Sequence, residues 1–104
     1  MPILEEIQCF HEEMTAWRHE LHEHPETAFE EVKTSDFVAN KLTEFGIEVN
    51  RGLAKTGVVG TLVNGKGGSI GLRADMDALN IEEQNDLPYK SKVAGKMHAC
   101  GHDG

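Results

Sequence analysis

One change of period divides this chain and limits what it can fold into. Ile3, Ile7, Phe10, Met14, Trp17 and Leu21 are spaced by 4, 3, 4, 3 and 4 residues, which draws one apolar stripe down a helix over about residues 3–23. Glu5, Glu6, Glu12, Glu13 and Glu20 fall on its other faces, and three heptads favour a packed surface helix over a coiled coil. Pro25 interrupts the pattern, because the residue before a proline is turned away from helical geometry. A second helix is expected over about 28–45, with Phe29, Val32, Phe37, Val38, Leu42 and Phe45 on its apolar side and Gly46 as its C-terminal stop. There the helical spacing ends. Ile47–Val49 alternates like a short strand, and the β-branched run Val58–Val63 reads as another. Ser69–Ala74 reads as a third, joined to the second across the turn cluster Asn64–Gly68 in a hairpin. From Asp75 onward no regular period survives. The fold class expected is α/β, with helices packed on a mixed β-sheet.

Charge narrows the partners. The net charge of −8 is carried by residues 1–31, where nine Glu face the single Arg18, while residues 32–104 hold nine acids and nine bases. That distribution offers no basic footprint for nucleic acid and no basic face for an anionic membrane. With 38% hydrophobic residues and no apolar run near the length of a membrane span, the chain reads as a globular, soluble, cytoplasmic one. The opening MPILEEIQCF is acidic and lacks a signal-peptide core. Two cysteines so far apart, Cys9 and Cys100, are no disulfide framework. Cys9 is expected to be a small buried hydrophobe in the first helix.

Cys100 has different surroundings. In Met97-His98-Ala99-Cys100-Gly101-His102-Asp103-Gly104, the glycine between Cys100 and His102 lets the backbone bend, so that a thiolate and an imidazole can aim at one point. Those are the donors a zinc-like metal takes. The same residues also fit a buried cysteine and an ordinary histidine in a glycine turn. Two ligands do not complete a site in any case, and His98, Asp103 and the Asp75/Asp77 pair are the nearby candidates for the rest. Asp103 also suits the task of orienting an imidazole. His11, His19, His22 and His24 are more distant, and histidines on a helix are commonly solvent-facing or cap-like.

Arg73-Ala74-Asp75-Met76-Asp77 follows the third expected strand directly. If that strand continues, both aspartates project to one side and Met76 to the other. They then serve either as orienting groups of a metal site or as a turn-initiating pair with Arg73 as salt-bridge partner. Pro88–Val93 is expected to be a solvated basic loop.

Three stretches, WRHELHEHPETAFEE at 17–31, GLRADMDAL at 71–79 and PYKSKVAGKMHACGHDG at 88–104, together resemble the N-terminal part of an M20-type metallopeptidase. The similar branch holds the hippurate hydrolases, the N-acyl-amino-acid and N-acetyldiaminopimelate deacylases, and the auxin-conjugate hydrolases. By that resemblance Cys100 and His102 match the family's metal-binding Cys and His. Asp77 matches the aspartate that orients the catalytic site. The position where the wider clan has a ligating His is Asp75 here, so Asp75 is not carried over as a ligand, nor is His98. Asn80 stands where relatives often have Pro.

The resemblance implies a metal-dependent hydrolase that cleaves an N-acyl or aminoacyl amide, or a peptide, with two divalent ions (zinc, manganese, cobalt or nickel). It makes residues 1–104 part of a catalytic, metal-binding domain. The rest of that domain, its general-base glutamate and the lid domain would follow Gly104. The 104 residues alone are expected to be inactive. The alternative is a truncated piece acting as a folding or self-association unit, since a sheet stopped early leaves an open edge and favours a homo-oligomer.

Overall fold

The computed structural model describes residues 2–103; Met1 and Gly104, which closes the last quoted stretch, lie outside the described residues. The element order is α1 (Glu5–Gln8), α2 (His11–Glu23), α3 (Val32–Glu44), β1 (Glu48–Leu53) and β2 (Gly57–Thr61). The single helix expected over 3–23 is therefore broken at Cys9 and Phe10, where Phe10 N–H donates to the Ile7 carbonyl at 3.0 Å. Ile3, Ile7, Phe10 and Met14 are all exposed, so the N-terminal half of the stripe has nothing to pack on among the described residues. Cys9 is exposed as well, not buried, and its thiol donates to the Glu6 carbonyl at 3.1 Å. Lower down, Trp17 meets Phe45 with ring centroids 5.9 Å apart, which ties α2 to the end of α3.

α3 shows how local chemistry sets an element's ends. At its start the Glu26 carboxylate accepts from the Lys33 and Thr34 N–H groups at 3.1 and 2.6 Å, and from the Thr34 hydroxyl at 2.7 Å. These are amides that have no partner within a helix. At its end Gly46 takes φ +76°, its N–H donates to the Thr43 carbonyl at 3.0 Å, and Ile47 N–H reaches back to Leu42 at 3.0 Å. That is a Schellman stop, and the left-handed residue is why glycine stands there. Removing the Glu26 cap should cost about 2 kcal/mol. In Glu26→Ala, amide hydrogen exchange at Lys33 and Thr34 should quicken by on the order of thirtyfold; unchanged exchange would mean that the carboxylate does not cap α3.

The sheet differs from expectation. β2 pairs antiparallel with β1, in the register Glu48↔Thr61, Val49↔Gly60, Asn50↔Val59 and Arg51↔Val58. Gly52, at φ +91°, sits at the bulge where the register shifts. Ser69–Ala74 forms no strand, and Ile70 and Leu72 are 87% and 93% exposed. The physical reason is loop closure and backbone satisfaction. The short connection Ala54–Thr56 joins β1 to β2 directly, and the 69–74 segment meets no strand that could take its hydrogen bonds. Among the described residues parallel pairing survives only as the bridge Thr27↔Ala78, beside an antiparallel bridge Leu79↔Met97. The first carries the irregular segment after Asp75 back onto the α2–α3 connection, and the second closes that segment on itself.

The interior is thin. Among the described residues Ala39, Ala78 and Pro25 are the buried apolar ones, and no large side chain is fully buried. Four polar residues, Glu31, Thr34, Ser35 and Glu83, are as deep as those alanines. The radius of gyration, 15.4 Å, exceeds the about 13 Å expected for a compact domain of this length. Among the described residues no helix is long and apolar enough to cross a membrane.

Candidate metal centre

The segment 97–103 is a turn closed on itself. Cys100 N–H donates to the Asp103 carboxylate at 2.9 Å, and Asp103 N–H returns to the Cys100 carbonyl at 3.1 Å. Asp103 thus spends one oxygen on shaping the turn that carries Cys100. The Cys100 thiol is half-buried, whereas His102 is exposed, with Nδ1 3.7 Å from an Asp75 oxygen. The other Asp75 oxygen accepts from Arg73 at 2.8 Å, so the expected Arg73 salt bridge and a place beside His102 belong to the same carboxylate.

Asp75 and Asp77 do not share a side. Asp75 lines a trough of about 1020 Å³ together with His22, His98, His102 and Asp103. Asp77 lines a separate shallow dish of about 550 Å³ with Thr27, Glu30 and Lys96. The alternation expected of a continuing strand is lost because residues 75–77 are not in one. Asp77 still acts on this neighbourhood through its charge, which favours the protonated form of His98. Burial outweighs it, and together with the nearby His22 it holds the His98 imidazole below its ordinary value although Asp103 and Asp77 pull the other way. His98 Nε2 is buried without a hydrogen-bond partner.

The donor chemistry fits a divalent metal, with a thiol, an imidazole and a carboxylate beside that imidazole. The number does not reach a site, since no group of three His, Cys, Asp or Glu side chains converges among the described residues. Cys100 and His102 are two possible donors, fewer than a metal site takes.

α2 turns out to matter more than its sequence suggested. His22, expected to be solvent-facing, is bonded through Nε2 to Glu83 at 3.0 Å, and His19 stacks on Tyr89 with centroids 3.7 Å apart. The Pro88–Val93 loop is therefore docked on α2 rather than solvated. Burial raises the Glu83 carboxyl, but the Ser91 N–H, Asn85 and His22 more than offset this and hold it below its ordinary value of 4.5. Glu26 is likewise raised by burial and lowered further by its bonds to Thr34 and Lys33. A carboxylate lowered by folding contributes stability that is complete above pH 4.5 and lost as pH falls through the lowered value. Acid unfolding followed by Trp17 fluorescence should set in below that pH, and Glu83→Gln should flatten the dependence; an equal pH slope in the variant would contradict it.

Residues 71–104 match the family described as Peptidase family M20/M25/M40. That match takes in the last third of the chain. Over 105 residues the chain is 52% identical to a hippurate hydrolase of Campylobacter jejuni, covering 100% of this chain and 27% of that one. It is 48% identical over 94 residues to an N-acyl-L-amino acid amidohydrolase of Geobacillus stearothermophilus, covering 88% of this chain and 25% of that one. A crystal structure of the Bacillus subtilis YXEP protein, described as a dinuclear metal binding peptidase from the M20 family, superposes with a TM-score of 0.84 at 46% identity. That match covers 92% of this chain and 28% of the other. The fold is that of part of an M20-type α/β domain, and the chain spans about a quarter of the length of the curated relatives it matches.

Proposed function

We propose that this chain supplies Cys100 and His102 to the metal centre of an M20-type amidohydrolase, which cleaves N-acyl-amino-acid or related peptide amides to an amino acid and a carboxylic acid. The observation that carries this reading is the closed Cys100–Asp103 turn at the trough, with Asp75 against His102. The relatives' names, hippurate hydrolase and N-acyl-L-amino acid amidohydrolase, support the substrate class. Residues 1–104 are assigned to a catalytic, metal-binding domain, with its remaining ligands, general base and lid outside them. Two divalent ions, drawn from zinc, manganese, cobalt or nickel, would supply polarisation of the amide carbonyl and a water of lowered pKa.

The chain's own contribution is positional. Asp103 holds the backbone of Cys100, Asp75 lies 3.7 Å from His102 Nδ1, and Asp77 acts as an orienting carboxylate. The Cys100 ligand is a thiolate, so loading weakens as pH drops. The enzyme is assigned to the cytoplasm, and the net charge of −8 supports neither a nucleic-acid nor a membrane partner.

The test is hydrolysis of N-benzoylglycine and other N-acyl amino acids by protein made from the whole reading frame. Activity should vanish on chelation and return with added divalent metal, and residues 1–104 alone should be inert. Hydrolysis that survives exhaustive chelation would contradict the proposal, as would none with metal fully loaded.

A further inference from the structure

Glu83 is the most deeply buried carboxylate among the described residues, with 3% of the residue exposed. It lies in irregular chain, where burying a charge is costly unless donors surround it. Three do. One oxygen accepts from His22 Nε2 at 3.0 Å and from Ser91 N–H at 2.8 Å, and the other from Asn85 at 3.2 Å. Around this bond α2 grips the loop twice more. Tyr89 lies flat on His19 and stands nearly perpendicular to His22, and Lys92 N–H donates to the Glu23 carbonyl at 2.9 Å while its ammonium pairs with the Glu23 carboxylate.

The hold passes along the chain to the ligands. The Ser91 hydroxyl donates to the Lys96 carbonyl at 2.7 Å, and Met97 exchanges both backbone bonds with Leu79, at 2.9 and 3.0 Å. Cys100 follows three residues later. His22 lines the same trough as His98 and His102, so the histidine that Glu83 holds faces the space that His102 borders. A buried pair of this kind is weak evidence for net stability, and its best-attested use is to fix one arrangement among several.

We propose that Glu83, through His22 and Ser91, is a positioning residue for the Cys100 and His102 ligands, setting their turn against α2. This rests on the metal-site reading above. Protein from the whole reading frame is titrated with Co²⁺ alone, and the thiolate-to-cobalt charge-transfer absorption is read. The wild type should show a saturable band that Cys100→Ala abolishes. Glu83→Gln should lower cobalt affinity by roughly 10- to 100-fold. Glu31→Gln, which removes a buried carboxylate bonded to Thr56 instead, should leave the affinity unchanged.

A role in stability alone would lower the unfolding temperature of both glutamine variants and move neither affinity, which overturns the positioning role and leaves the metal site standing. Absence of the band in wild type would overturn the metal-site reading and this proposal with it. If circular dichroism shows Glu83→Gln unfolded, His22 decides. His22→Gln keeps a donor toward Glu83 and should retain cobalt affinity, His22→Leu should lose it, and equal affinities in the two would overturn the proposal.

Discussion

Cys100→Ala, in protein made from the whole reading frame, is expected to lose metal loading and to lower amide hydrolysis on the order of a thousandfold or more. The size follows from what a bound ion contributes. Polarising a carbonyl and activating water are together worth several kcal/mol at the transition state, and each 1.36 kcal/mol is a factor of ten. The effect should exceed that of any substitution that only shapes the turn. Asp103→Asn removes the charge that the Cys100 N–H meets at 2.9 Å but keeps an acceptor, so its loss should be far smaller. Metal content by elemental analysis beside the hydrolysis rate checks both. Full activity with full metal content in Cys100→Ala would remove Cys100 from the ligand set.

The second large effect concerns association. Leu62, Val63, Ile70 and Leu72 are 74%, 81%, 87% and 93% exposed, and they flank the Asn64–Gly68 turn beside a sheet of only two strands. Apolar surface next to unpaired strand edges drives self-association. Residues 1–104 on their own should therefore elute in size-exclusion chromatography at twice the monomer mass or above at micromolar concentration. Ile70→Lys combined with Leu72→Lys should return them to 11.5 kDa. A monomeric wild-type chain would contradict this, as would an oligomer that the two lysines leave intact.

The elements legible in the sequence were those decided locally. The stop of α3 at Gly46 was readable because a Schellman stop is written within six residues. Its start was not: the helix begins at Val32 rather than near residue 28, and Phe29, Val32 and Phe45 of the expected apolar side are exposed. Pro25 marked the end of α2 from its own position. What escaped was decided at a distance. The partner of β2 was mistaken because Val58–Val63 can pair on either side, and β1 offers the shorter loop. Continuity of the first helix failed because an apolar stripe predicts a helix only where something covers it, and Ile3 to Met14 remain exposed. Glu83 and His22, sixty-one residues apart, carry no joint sequence signal at all. Neither does Glu26, whose capping bonds reach seven and eight residues ahead rather than the usual two or three. For the site, the glycine between Cys100 and His102 marked the turn that carries both. The separation of Asp75 from Asp77 was not readable, because it depends on the loss of a strand that the pattern implied.

The central claim is that Cys100 is a metal ligand, and X-ray absorption at the metal edge of the zinc-loaded protein from the whole reading frame tests it most directly. A sulfur scatterer at about 2.3 Å in wild type, absent in Cys100→Ala, is the predicted result. A first shell of nitrogen and oxygen alone in the wild type, or a sulfur that persists in the variant, would contradict it.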